Sequence, residues 1–239
     1  MKDYEENYWA KRVGKYNKTS WVKNEDFIDT FLGMLPEHTF NSILEVGVGT
    51  GVVAEKVAEK IGPLIGVDIS KEMISKIHHP NITAIVGDAH NLEFDNNTFD
   101  LIYIRNVLHY IDNPDLVFSE IYRCLQPGGY FLFSQVVPPD DSISKEYDWI
   151  VGRDIHYPTR REILQYFSRF SIIGKNNYIL KKQSIINWLN NTCNDESERK
   201  KIIIRHRKSS KTYKTLANFI ETQNDILVNI IQFIIIGKK

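Results

Sequence analysis

The stretch from Ser42 to Gly51, SILEVGVGTG, decides how the rest of the sequence is interpreted. Its first half, from Ile43 to Val48, is a short apolar run that is typical of a buried strand. Glycine occupies every second position from Gly47 to Gly51, and apolar residues at helical spacing follow. Glycine lets the backbone approach a ligand closely, and the following helix offers free N–H groups at its N-terminus. The stretch therefore predicts a strand, a turn and a helix in a nucleotide-binding arrangement.

Polar residues end the apolar runs that come next in the chain. Asp68 closes the run LIGV, Asp88 follows the run ITAIV, and Asn106 ends the run FDLIYIR. A carboxylate at the tip of the second strand of such a unit can accept hydrogen bonds from both hydroxyls of a ribose. Because parallel strands present their carboxyl ends at one sheet edge, where open α/β folds bind ligands, we expect these side chains to lie close together.

Five motifs resemble, in their order and spacing, those of the class I S-adenosylmethionine (SAM)-dependent methyltransferases. The matching motifs are LEVGVGTG (44–51), GVDIS (66–70), GDAHNLEF (87–94), FDLIYIRNVLHYI (99–111) and CLQPGGYFLFS (124–134). They cover residues 40–137 and are specific for the class of enzyme, but not for its substrate. The resemblance implies an α/β fold: a doubly wound Rossmann-like sheet of seven strands with helices on both faces, and SAM as the cofactor.

The resemblance also assigns cofactor contacts to residues at these strand ends: Glu45, Gly47, Gly49, Gly51, Asp68, Ile69, Met73, Asp88, Ala89 and Asn106. It implies that the glycines approach the methionine end of SAM and that Glu45 helps to orient the ammonium group. Asp68 would bind the ribose, and Ile69 and Met73 would pack on the adenine. Asp88 would accept from the adenine amino group with the backbone of Ala89 beside it, or would only cap its own loop. Asn106 would lie beside the sulfonium.

A dinucleotide site is the alternative for the glycine loop. That fingerprint requires G-x-G-x-x-G. Here the third glycine comes one residue early and Val52 stands in its place, so the sequence disfavours a pyrophosphate cradle.

His109 follows Asn106 into the mouth of the expected active site. It is a candidate general base because imidazole titrates near neutral pH, and its alternative role is to shape the pocket. Further candidates for substrate contacts are Tyr16, Trp21, Tyr110, His156 and Arg160. Tyr16 and Trp21 belong to a segment that, in the family, often folds over the cofactor, and their alternative role is packing at the sheet edge.

Composition sets wider limits. The chain of 239 residues carries 30 Lys and Arg and 30 Asp and Glu, so its formal net charge is zero and it is no general polyanion binder. Residues 1–174 hold 17 basic and 25 acidic residues, whereas residues 175–239 hold 13 and 5. We therefore expect a basic surface at the end of the chain.

Neither a disulfide framework nor a membrane anchor is predicted. The only cysteines, Cys124 and Cys193, are too few for a framework or a zinc cluster, and we expect both to be reduced. The charged opening MKDYEENYWAKR is unlike a signal peptide, and no apolar run approaches the ~20 residues of a membrane helix. These features predict a cytoplasmic protein with no membrane partner.

No metal site is expected either. Within the family that the sequence resembles, catechol-type methyltransferases hold Mg²⁺ with an acidic residue at the end of strand four, where this chain has Asn106. The pair Asp140-Asp141 could bind a metal ion, but a carboxylate pair in a loop is usually solvated. The sequence thus predicts chemistry without a metal.

The chain is expected to form a single domain with four parts. These are an N-terminal helical lid (1–36), a core (37–182), a helical insert (183–222) and a last strand (223–239). Within the insert, the apolar stripe IINWL should pack on the domain. The stretch 199–214, with eight Lys and Arg, should face outward because it is too basic to bury. Insert and lid should together cover the acceptor pocket.

The leading hypothesis is a SAM-dependent methyltransferase acting on an oxygen or nitrogen of a small-molecule acceptor. An RNA methyltransferase that grips phosphates with the basic insert is the first alternative. A non-catalytic SAM-binding protein is the second. The Asn/Asp-Pro-Pro-aromatic motif of amino-methyltransferases is missing after strand four, so base and glutamine targets are disfavoured. The acceptor and the oligomeric state stay open.

Overall fold

The protein was analysed as a computed structural model, which describes Trp9 and residues 12–19 and 24–239. Its strands are β1 (Ile43–Val46), β2 (Leu64–Asp68), β3 (Ile82–Val86), β4 (Phe99–Arg105), β5 (Leu125–Val137), β6 (Ser171–Ser184), β7 (Ile220–Glu221) and β8 (Ile226–Lys238). Its α-helices are α1 (Val13–Tyr16), α2 (Glu25–Leu32), α3 (Val52–Lys60), α4 (Lys71–Ile74), α5 (Pro114–Cys124), α6 (Ser144–Val151), α7 (Arg160–Tyr166), α8 (Ile185–Thr192), α9 (Glu196–Lys208) and α10 (Lys211–Leu216).

Seven of the described strands form one sheet in the order β3-β2-β1-β4-β5-β8-β6, and the two-residue strand β7 pairs with the beginning of β8. The first five strands of the chain are parallel to one another. β8 lies between β5 and β6 and is antiparallel to both. The order reverses between β1 and β4, which is the position where open sheets of this type bind ligands. The predicted seven-stranded Rossmann-like sheet is confirmed.

Helices cover both faces of the sheet, as predicted. Successive strand residues point to opposite faces, so Ile43 belongs to one buried cluster and Leu44 to the other. The first cluster includes residues of α2, α3 and α8, and the second includes residues of α5 and α7. The sheet is therefore sandwiched between two apolar layers, and its strand ends are left to form a site.

Local capping explains where two of the helices start. The side chain of Asn24 accepts from the N–H of Phe27 at the start of α2, and Thr159 with Glu162 forms a capping box at the start of α7. The helix before β5 ends at Cys124, and β5 begins directly after it because Leu125 already pairs with Phe99 of β4.

The region between β6 and β8 is helical, as predicted, and α8, α9 and α10 follow one another there. Ile185, Trp188 and Leu189 of α8 are buried in the core. The prediction that the stretch 199–214 faces outward is only partly right. Its inner side buries a stripe at helical spacing: Ile202, His206 and Tyr213. The exposed Lys and Arg side chains lie on the other side of that stripe.

Cys124 and Cys193 are both buried and unbonded. None of the helices that the structure describes is long and apolar enough to span a bilayer. The proposed division of the chain at residues 36, 182 and 222 stays a prediction.

Candidate active site

The glycine loop after β1 is packed tightly against the segment that follows β4. Gly47 has a φ of +78°, which favours glycine. A Cβ added there would lie 2.3 Å from Cγ2 of Val107, so no larger residue fits without movement of that segment. Gly49 and Gly51 also have positive φ, and Gly51 stands at the N-cap of α3. The sequence has glycine where the backbone geometry requires it.

Asp68 lies at the carboxyl end of β2 and is held by the loop it faces. The N–H of Gly49 donates to its Oδ2 at 2.8 Å, and the N–H of Ser70 donates to its Oδ1 at 2.9 Å. Burial raises the pKa of Asp68, and these two hydrogen bonds oppose the rise. The carboxylate is thus fixed beside the glycine loop, in the position that a ribose-binding acid occupies in such folds.

Glu45 is a buried carboxyl group inside β1. Its side chain is 3% exposed, and the hydroxyl of Tyr103 on the neighbouring strand donates to its Oε2 at 2.7 Å. Burial raises the pKa of Glu45 to about 8, although the bond from Tyr103 and the charge of Arg105 act in the opposite direction. A cationic group bound nearby would favour the ionised form of this carboxyl.

The residues predicted to contact adenine differ in exposure. Ile69 is 53% exposed directly after Asp68, so an apolar side chain is available beside this carboxylate. Met73 is buried, and Ala89 packs against the second core cluster. Asp88 accepts from the N–H of His90 at 2.9 Å and lies 2.7 Å from its Nδ1. Its carboxylate therefore orders its own loop, which was the alternative interpretation.

Asn106 turns the chain out of β4 with a φ of +55°. Its N–H donates to the carbonyl of Ser134, and its Oδ1 accepts from the N–H of Val136 at 2.9 Å. The side-chain oxygen is thus used to hold the ends of β4 and β5 together.

A pocket lies over the ends of β4 and β5, and we call it the strand-end pocket. It contains about 780 Å³ of space, open solvent at its mouth included. Its wall combines strand ends with the helices that follow β5 and with the insert, and it includes Asn106, Tyr147, Tyr157, Trp188, His206 and Tyr213. Among the described residues that line it, none is Asp, Glu, Lys or Arg. The described lining therefore combines aromatic and aliphatic side chains with neutral polar groups, and the guanidinium of Arg153 lies next to it, 4.5 Å from the ring centroid of Trp188.

The strand-end pocket adjoins the glycine loop. Val107 lies against Gly47. Asn106 precedes Val107 in the chain and His109 and Tyr110 follow it, and these three residues line the pocket. Two of the sequence candidates, His109 and Tyr110, are thus brought together at this wall.

The environment of His109 does not fit the predicted role of general base. Burial lowers its pKa to about 3, and its ring stacks on Tyr157 with centroids 4.7 Å apart. Its Nδ1 lies 2.9 Å from Nε2 of Gln135. That amide is oriented by two further bonds, because its Oε1 accepts from the N–H of Leu108 and its Nε2 donates to the carbonyl of Val136. Nδ1 of His109 therefore accepts, and the proton resides on Nε2.

His156 and Arg160, by contrast, are engaged away from the pocket lining. His156 lies between Asp148 at 2.7 Å and Glu162 at 3.2 Å. Arg160 donates to the side chains of Asn177 and Asp141 and to the carbonyl of Pro138. These bonds tie the segment after β5 to α7 and β6, so both side chains have structural partners instead of the predicted place at a substrate.

The two carboxylates after β5 also accept hydrogen bonds from other groups of the protein. Asp140 accepts from the N–H of Ser142 as a cap, and Asp141 accepts from the N–H groups of Arg160 and Arg161. Within the described part of the chain, no group of three or more His, Cys, Asp or Glu is arranged to hold a metal ion.

The N-terminal segment reaches the same region. Thr50 of the glycine loop donates to Oδ1 of Asn17 at 2.7 Å, and the buried Thr19 lines the strand-end pocket. The lid candidate Trp21 and the side chain of Tyr16 lie outside the described residues.

Sequence reasoning missed most of the pocket wall. Tyr147, Tyr157, His206 and Tyr213 were not predicted, since they are distant from the cofactor motifs in the chain. One indication was available for the insert: Ile202, His206 and Tyr213 follow a helical spacing within the basic stretch.

The sequence is similar to known methyltransferases. A family described as a methyltransferase domain matches residues 44–133. Phosphoethanolamine N-methyltransferase 2 of Caenorhabditis elegans is 28% identical over 134 residues, which are 53% of this chain and 30% of that protein. The malonyl-[acyl-carrier protein] O-methyltransferase of a Marinomonas species is 29% identical over 138 residues, which are 52% of this chain and 50% of that protein. The chain thus spans half or less of the length of these relatives.

The fold is also found in solved structures. The YcgJ protein of Bacillus subtilis superposes with a TM-score of 0.77 at 21% identity, over 90% of this chain and 99% of that one. With the sheet order, the glycine loop and the acid at the end of β2, the sequence matches identify the class: the chain belongs to the class I SAM-dependent methyltransferase family. Gly47, where a Cβ would not fit, the fixed Asp68 and the buried Glu45 suit the cofactor of that family, SAM.

Proposed function

We propose that the protein transfers a methyl group from SAM to an oxygen or nitrogen of a small, neutral, ring-containing acceptor bound in the strand-end pocket. The observation that carries this proposal is the pocket itself. It adjoins the glycine loop through Val107, and its described lining is aromatic and carries no charged side chain. Aromatic side chains favour flat apolar ligands, and a few polar groups among them fix the orientation.

The residues of this chain would divide the work of cofactor binding. Gly47, Gly49 and Gly51 would let the backbone approach the methionine moiety, Asp68 would accept from the ribose, and Glu45 would lie on the side of the ammonium group. SAM supplies a methyl group that is already activated on a sulfonium, so the protein mainly has to align the acceptor with it.

Acceptor alignment would come from the wall at the end of β4. The left-handed turn at Asn106 is locked to β5, which gives a rigid edge beside the methyl group. His109 would donate from Nε2 to an acceptor atom rather than remove its proton, because its Nδ1 is occupied by Gln135. The names of the relatives include an N-methyltransferase and an O-methyltransferase, which supports nitrogen or oxygen as the acceptor atom, whereas the preference for a neutral ring rests on the pocket alone.

The RNA methyltransferase alternative is less well supported. Several cations of the basic stretch are paired with acidic neighbours: Lys200 with Glu196, Arg205 with Glu198 and Arg207 with Glu221. The inner side of the same stretch contributes His206 and Tyr213 to the strand-end pocket. One side of the insert thus lines the pocket, and part of the charge on its other side is neutralised by acidic neighbours. This arrangement favours a small acceptor over RNA.

Transfer of a labelled methyl group tests the proposal. The protein is incubated with SAM carrying a deuterated methyl group and a panel of neutral phenols, alcohols and heteroaromatic amines, and mass spectrometry detects the products. In parallel, bulk RNA is offered as acceptor. We expect label in a small molecule and none in RNA. Label in RNA alone would favour the alternative, and SAM binding without transfer to any acceptor would favour a non-catalytic protein.

A matched pair of tryptophan variants ties the activity to the pocket. Trp188 lines the pocket, whereas Trp149 on α6 is 48% exposed and does not line it. Trp188→Leu should lower methylation of the acceptor at unchanged SAM affinity, and Trp149→Leu should leave both unchanged. Equal activity of the two variants would place the acceptor elsewhere.

A further inference from the structure

His206 is a histidine of the basic insert and belongs to none of the motifs that are expected to bind the cofactor. It lies on α9, its side chain is 2% exposed, and it lines the strand-end pocket together with His109. The two histidines therefore reach one cavity from different parts of the fold, one from the end of β4 and one from the insert.

The hydrogen bond of His206 fixes its tautomer. Its Nδ1 lies 2.9 Å from the carbonyl oxygen of Ile202, one turn earlier in α9. A carbonyl can only accept, so Nδ1 carries the proton and Nε2 presents a lone pair. Burial lowers the pKa of His206 to about 4, which keeps the ring neutral near pH 7. No donor in the described part of the chain forms a hydrogen bond with this Nε2.

His109 has the opposite arrangement. Its Nδ1 accepts from Gln135, so its Nε2 carries the proton. The strand-end pocket thus contains one neutral imidazole that can donate and another that can accept. Nε2 of His206 is not among the buried unpartnered side-chain atoms of the described residues, so with no protein donor it is accessible from the pocket. A ligand that covers this atom without donating to it leaves it unsatisfied, so a ligand with a donor group gains over one that has none.

We infer that His206 is a substrate-binding residue whose Nε2 accepts a hydrogen bond from an O–H or N–H group of the acceptor, so that the pocket selects neutral ring compounds bearing such a donor. This inference rests on the proposed function only in calling the ligand a methyl acceptor. The aromatic wall, which includes Tyr157 and Trp188, holds the ring, and the two histidines distinguish its polar positions.

Nuclear magnetic resonance with ¹⁵N-labelled histidine tests the inference directly. Phenol is the probe, and anisole, which has the same ring but no donor, is its control. At pH 7 we expect His206 as the neutral Nδ1–H tautomer. Phenol should shift its Nε2 resonance in a saturable manner, and anisole should not. A charged ring, the Nε2–H tautomer or an Nε2 resonance indifferent to phenol would overturn the inference.

Two variants separate the pocket contact from the structural bond. His206→Asn keeps a donor for the Ile202 carbonyl but does not reach the pocket, whereas His206→Gln extends an amide toward the position of Nε2. The preference for phenol over anisole, about two- to tenfold for one hydrogen bond, should disappear in His206→Asn and return in part in His206→Gln. His78→Asn, at an exposed histidine, should leave the preference unchanged. Equal preference in wild type and His206→Asn would refute the contact.

Calorimetric titration with SAM accompanies each variant and shows that the fold is intact. Phenol binding requires no methyl transfer, so the two proposals can fail separately. If phenol binds through His206 but no acceptor is methylated, the proposed function fails and the assignment of His206 stands. If acceptors are methylated with equal efficiency by wild type and His206→Asn, the assignment fails and the function stands.

Discussion

Replacing Glu45 by Gln should stabilise the protein at alkaline pH. Glu45 is buried in β1, and its pKa is raised from 4.5 to about 8. Below pH 4.5 the group is protonated in both the folded and the unfolded chain, so its contribution to stability is fully present. Between these two values the unfolded chain releases the proton while the folded chain retains it, so this contribution is lost as the pH rises to about 8.

The size of the loss follows from the two pKa values. The difference between about 8 and 4.5, at about 1.4 kcal/mol per pH unit, gives ~5 kcal/mol. Relaxation around the carboxylate and entry of water reduce such a penalty, so we expect ~2–5 kcal/mol at pH 9. The Gln side chain has no proton to release and can still accept from Tyr103 through its Oε1.

Urea unfolding between pH 5 and pH 9 measures this difference. His109 and His206, whose pKa values are lowered, make wild-type stability rise with pH up to about 6.5, so only the difference between Glu45→Gln and wild type isolates Glu45. Glu93→Gln, at an exposed site, is the control and should show no pH-dependent difference. If the free energies of unfolding of Glu45→Gln and wild type differ by the same amount at pH 5 and pH 9, the reasoning about Glu45 is refuted.

Three further predictions concern the cofactor and the chemistry. Asp68→Ala should weaken SAM binding by roughly 1.5–3 kcal/mol in a calorimetric titration, the scale of a hydrogen bond to a charged group; wild-type affinity would remove the ribose assignment. Gly47→Ala should lower both stability and SAM affinity, because its Cβ would lie 2.3 Å from Val107 Cγ2 at a φ of +78°. Adding Val107→Ala should restore part of both, and no recovery would leave the backbone strain as the sole cause. Activity toward an identified acceptor should survive exhaustive chelation, and its restoration by Mg²⁺ would redirect attention to Asp140 and Asp141.

The cofactor half of the fold could be predicted because its determinants are local in the sequence. The run from Ile43 to Gly51 contains a buried strand, a turn that needs positive φ and a helix start within ten residues. Asp68 is likewise fixed by its position at the end of an apolar run. Where local preference and the final structure agree in this way, a sequence is readily interpreted.

Positions that depend on distant partners could not be predicted in the same way. Arg160 was expected at a substrate, but it binds Asp141, 19 residues earlier, and Asn177 on β6. His109 was expected to be a base, but the amide of Gln135, 26 residues later, occupies its Nδ1. Neither partner is visible in the motif that contains the residue, since each contact forms only when distant segments pack together.

The insert shows why its charge misled the interpretation. Eight Lys and Arg residues in 199–214 predicted an outward-facing stretch, yet Ile202, His206 and Tyr213 are among the most buried residues of the chain. A helix needs only one apolar stripe to pack, and its other positions are free to carry charge.

The two sides of α9 can therefore change independently. Lys200 and Arg207 are paired with Glu196 and Glu221 outside the pocket, so substitutions there should have little effect on it. A substitution at His206, by contrast, alters the pocket wall without touching the glycine loop. Because the residues proposed to bind SAM lie in the loops after β1 and β2 and the pocket wall lies largely in later segments, acceptor specificity can diverge within this fold while the proposed cofactor site stays the same.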